Sequence, residues 1–61
     1  MTTFDIYHDD ILQNPTKYSL AKIEQICWDR PEELSDKDRA DLIAEYVIAC
    51  ASYKLIPVSG Y

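Results

Sequence analysis

Ser35-Asp36-Lys37-Asp38-Arg39-Ala40-Asp41-Leu42-Ile43-Ala44-Glu45-Tyr46-Val47-Ile48-Ala49-Cys50-Ala51-Ser52 is the stretch on which the fold of this chain turns. It opens on a serine, whose hydroxyl can accept from an orphan amide, followed by acids where the helix dipole is positive. Asp38 stands at the third position, where a capping box prefers Glu or Gln, so the pattern predicts the cap and not the full box. No Gly or Pro intervenes before Pro57. The spacing predicts a helix over about residues 36–54.

A wheel at about 100° per residue places Leu42, Tyr46 and Tyr53 together, with Ile43, Val47 and Cys50 beside them. Ala40, Ala44 and Ala51 come next, then Ile48 and Leu55. Asp38, Asp41, Glu45 and Ser52 form the polar stripe. The apolar arc covers well over half the circumference, more than the stripe of roughly 100° that a surface helix shows. One short flanking helix cannot cover it. A second copy is therefore expected, with Ile43, Val47, Cys50, Ala40, Ala44 and Ala51 in the dimer interface. Leu42, Tyr46 and Tyr53, with Trp28 near the rim, would then line a groove for an amphipathic helix of another protein.

Working outward, Asn14-Pro15 signals a helix start, because Asn caps well and proline is tolerated at the first position. Leu20, Ile23, Ile26 and Cys27 follow one face, and Pro31 disfavours helix in the residue before it. This predicts a helix over about residues 15–29, joined to the longer one by Pro31-Glu32-Glu33-Leu34. Residues 2–7, Thr-Thr-Phe-Asp-Ile-Tyr, alternate polar and apolar and read as a short strand. The tail, Ile56-Pro57-Val58-Ser59-Gly60-Tyr61, is too interrupted for helix. The expected fold is mainly α: a single domain over residues 1–61, a two-helix antiparallel hairpin with an N-terminal strand, completed by homodimerisation.

Length and charge bound the rest. A chain of 61 residues buries only about 60% of its unfolded surface, and small scaffolds usually compensate with disulfides, a metal or oligomerisation. Two cysteines, Cys27 and Cys50, sit among apolar neighbours with no secreted framework, so free thiols in a reducing cytoplasm are expected. The start has no basic region and apolar core, so no signal peptide is expected. The uncharged apolar run Tyr46–Ala51 is far short of the roughly 20 residues of a membrane span. Eleven acids against six bases give a net charge of −5. That balance argues against direct binding to nucleic acid or to anionic membranes.

No chemistry stands out. His8-Asp9-Asp10 is the one His-acid cluster, and in an extended segment neighbouring side chains diverge, so no metal is expected. Neither cysteine lies in the electropositive, partly exposed setting of a nucleophile. Carboxylates are plentiful, but nothing marks a pocket that would raise a pKa and hold a substrate. The reading is of a non-catalytic protein without cofactors. The stretch 29–41, with Glu32, Glu33 and Asp41, admits an alternative: an acidic decoy that blocks a nucleic-acid-binding protein, weakened by the interspersed Arg30, Lys37 and Arg39.

From Met1-Thr2-Thr3-Phe4 through the Ile43-to-Ala51 core, the whole chain resembles the small early-region proteins of lambda-like temperate bacteriophages. The likeness rests on size, acidity and general sequence character, and carries no diagnostic motif or catalytic residue. It implies an intracellular regulatory binder, acting in the host cytoplasm on a host or phage protein to influence lytic development.

Overall fold

In the computed structural model, which describes residues 1–60, the chain forms three α-helices. These are α1 (Thr3–Gln13), α2 (Leu20–Asp29) and α3 (Asp36–Ser52), with a single 3-10 turn at Pro15–Lys17 between the first two. No strand occurs among the described residues.

The segment expected to be a strand is the first turn and a half of α1. Thr2 accepts from the Asp5 amide at 3.1 Å while the Asp5 carboxylate accepts from the Thr2 amide at 3.2 Å. This reciprocal capping box satisfies two otherwise orphan donors and starts a helix where alternation alone suggested extension. Phe4, Tyr7 and Ile11 then follow helical spacing and face the core. His8, Asp9 and Asp10 are consequently helical and not extended.

The helix expected over 15–29 is broken. Pro15–Lys17 forms the 3-10 turn, Tyr18 is extended, and Ser19 is the N-cap of α2, its hydroxyl accepting from the Lys22 amide at 3.0 Å. Asn14 closes α1 and donates through Nδ2 to Asp10 at 3.0 Å. It makes no side-chain cap for the turn that follows.

Ser35 caps α3 as anticipated, and with Asp38 it forms the full capping box: Asp is long enough to reach the Ser35 amide, at 3.0 Å. α3 ends two residues earlier than expected. Lys54 takes a left-handed φ of 57°. Its amide donates to the Ala51 carbonyl at 3.1 Å and the Leu55 amide to the Cys50 carbonyl at 2.7 Å. That pair of bonds is the Schellman motif, here built without the usual glycine.

α3 is the centre of the molecule. α1 packs along one flank and α2 along another, with no comparable packing of α1 on α2. The core joins Ile11, Tyr18, Ile23, Cys27, Leu34, Leu42, Tyr46 and Cys50, all nearly inaccessible to water. Each fully buried aliphatic side chain contributes about 1.5–3 kcal/mol. The Cα radius of gyration is 10.6 Å, against about 10.5 Å from the scaling for a compact chain of this length. A single copy therefore encloses a core by itself.

Candidate functional site

The residues expected to form one interface fall into two sets. Ala40, Ala44, Val47 and Ala51 are exposed on the side of α3 turned away from the core. Ile43 is half-buried against the core, and Cys50 is inside it. The expected groove does not form: Leu42 and Tyr46 are among the most deeply buried side chains. α1, whose first residues alternate like a strand, is a helix and covers that flank of α3, while the tail covers its C-terminal end. Tyr53 and Trp28, 56% and 65% exposed, remain at the surface.

What is left open of the apolar arc on α3 is narrower than the sequence suggests, and it begins beyond the exposed Lys37–Asp41 pair of the first turns. Val47 is 42% exposed and Ile48 54% exposed, flanked by Ala40, Ala44 and Ala51. Trp28 lies at the N-terminal end of α3, where it lines a cleft of about 360 Å³ together with Arg39 and Asp36. The Arg39 guanidinium reaches Glu24 at 3.4 Å and so fixes this side of α2 beside α3.

The tail is tied down through its backbone. The carbonyls of Val58 and Ser59 accept from the amides of Leu20 and Ala21, at 2.7 and 3.2 Å, the first free donors of α2. The buried Tyr46 hydroxyl donates to the Tyr18 carbonyl and accepts from the Val58 amide, each at 3.0 Å. Burial pushes the Tyr46 phenol above its ordinary value.

A second polar knot lies at the end of α1. The Asp10 carboxylate accepts from the Tyr18 hydroxyl, from Asn14 Nδ2 at 3.0 Å and from Lys17 Nζ at 3.2 Å. These donors, the Tyr18 hydroxyl first among them, hold Asp10 below the ordinary carboxylate value. The Tyr18 phenol is raised, by burial and then by the adjacent carboxylate.

The other candidate chemical groups are dispersed. His8 turns toward Glu45, Nε2 to Oε2 3.7 Å, and stacks on Phe4 with ring centroids 5.4 Å apart. Both cysteines are buried free thiols, and burial raises the Cys27 pKa. Among the described residues no three His, Cys, Asp or Glu side chains are grouped to hold a metal, and no helix is long and apolar enough to cross a membrane. Within 29–41, Asp29 accepts from Gln25, Asp38 belongs to the α3 cap, and Asp41 pairs with Lys37 at 2.8 Å. Glu32 and Glu33 stay exposed.

One concavity stands apart from these groups. It measures about 600 Å³ and runs between the 3-10 turn, the first turns of α2 and the tail. Tyr18, Ile26 and Val58 supply apolar walls, and Lys17 and Lys22 are the charged groups that line it among the described residues. Lys22 Nζ lies 5.4 Å above the Tyr18 ring and donates to the Lys17 carbonyl at 2.9 Å.

The chain matches no family model, and neither a curated protein nor a solved structure is significantly similar to it.

Proposed function

We propose that this chain is a non-catalytic protein-interaction module that pairs with a second copy through the outer face of α3. The observation that carries the reading is the apolar surface of Ala40, Ala44, Val47, Ile48 and Ala51, opposite a core that α1 and α2 already complete. Alanines at 40, 44 and 51 allow close approach of another helix, and Val47 and Ile48 supply the apolar area. Trp28, exposed beside the N-terminal turn of α3, is a residue type enriched at binding hot spots.

Size sets the expected strength. A helix face of about 12 residues is about 18 Å long. Alone it offers less than the roughly 800 Å² per partner of a standard interface. Pairing through α3 should therefore be reversible, with Kd on the order of micromolar.

Sedimentation equilibrium between micromolar and millimolar concentration tests this reading. The expected result is a monomer–dimer equilibrium abolished by Val47→Asp, with the helical circular dichroism unchanged because Val47 lies outside the core. A wild-type chain that stays monomeric throughout excludes it. The phage resemblance supplies a setting, regulation of a host or phage protein during lytic development. In that setting the dimer would present Tyr53 to the partner.

A further inference from the structure

We infer that the cleft between the 3-10 turn, α2 and the tail binds small amphipathic anions, an apolar body carrying one carboxylate or sulfonate. Its volume of about 600 Å³ lies within the roughly 300–1,000 Å³ range of ligand sites, and its mix of apolar walls with few polar groups is the usual one. Ile26 and Val58 offer aliphatic surface on two sides, and Tyr18 forms part of the floor.

Charge selects the ligand class. The molecule carries −5 overall, yet among the described residues no acid lines this cleft, and two of the six cationic side chains do. Lys17 is 60% exposed and reaches Asp10 at 3.2 Å, an exchangeable surface pair worth little by itself. Lys22 spends one of its three donors on the Lys17 carbonyl. Both ammonium groups thus keep donors for an incoming anion. The amides of Leu20 and Ala21 take no part, because the tail carbonyls already accept from them. The site is consequently selective for an anion whose apolar part fits beside Ile26 and Val58, and inorganic ions lack that part. Binding here is independent of pairing through α3.

The test uses the full ¹⁵N-labelled chain titrated with sodium octanoate, with 1-octanol and sodium chloride as controls. The expected result is saturable shifts confined to amides around Tyr18, Ser19, Lys22, Ile26 and Val58, absent with chloride and much weaker with octanol. Lys17→Gln with Lys22→Gln should weaken octanoate binding roughly tenfold, a loss of about 1.4 kcal/mol, while the remaining spectrum certifies the fold. Equal binding of octanol and octanoate overturns the proposal, as do shifts scattered over the molecule or no saturation. If the double variant proves unfolded, the octanoate–octanol comparison on the wild type still decides.

Discussion

At residue 46 one phenol oxygen serves two backbone groups that lie far apart in sequence, the Tyr18 carbonyl and the Val58 amide. Tyr46→Phe keeps the ring and strands a buried carbonyl, which costs about 1–3 kcal/mol. Urea unfolding should show that loss at unchanged m-value. Asp10 works through charge. Its carboxylate pKa is depressed mainly by the Tyr18 hydroxyl, so its stabilisation is complete above the ordinary value and fades as pH falls through the folded one. Asp10→Asn should therefore be less stable than the wild type at pH 7. The two stabilities should converge below about pH 4, a difference that thermal unfolding across pH 2–7 measures. The raised Tyr18 phenol acts at the other end of the scale: stability declines as pH climbs above about 10, where the unfolded chain's tyrosine ionises first.

Among the elements, α3 was the most legible, because a serine cap, acids in the first turn and an unbroken run all agree. α1 was not. Thr2 to Tyr7 alternate like a strand, and only a window extended to Gln13 shows Phe4, Tyr7 and Ile11 at helical spacing. The Thr2–Asp5 pair is the signal that could have found it, since Asp closes a capping box here as it does at Asp38. Ser19 was masked by the stronger Asn14-Pro15 pattern, whose proline opens only a 3-10 turn. The surface available for an interface depends on these elements. Without α1 as a helix, Leu42 and Tyr46 have no cover and read as a groove, whereas Ala40, Ala44, Val47 and Ala51 need no partner element and are exposed. The end of α3 is also where stability can be gained. Lys54 holds a left-handed φ of 57°, so Lys54→Gly should stabilise the chain by about 0.5–1 kcal/mol, read as a rise in thermal midpoint.

For the molecule as a whole, the core closes within one copy, so association and folding are separable. That is the reason Val47→Asp is expected to give a folded monomer. The tail has a different kind of consequence. It is joined to α2 and to Tyr46 through the Val58 and Ser59 carbonyls and the Val58 amide, none of which belongs to a side chain. Nearly any residue other than proline at 58 can supply those groups, but only a chain that reaches α2 can. Truncation after Pro57 should accordingly expose the Leu20 and Ala21 amides to rapid hydrogen exchange, while Val58→Ala or Ser59→Ala leaves their protection nearly intact. For its anchoring, the constraint on this segment is one of reach and not of spelling: apart from the aliphatic side chain at 58 that walls the cleft, its composition can drift provided its span is kept.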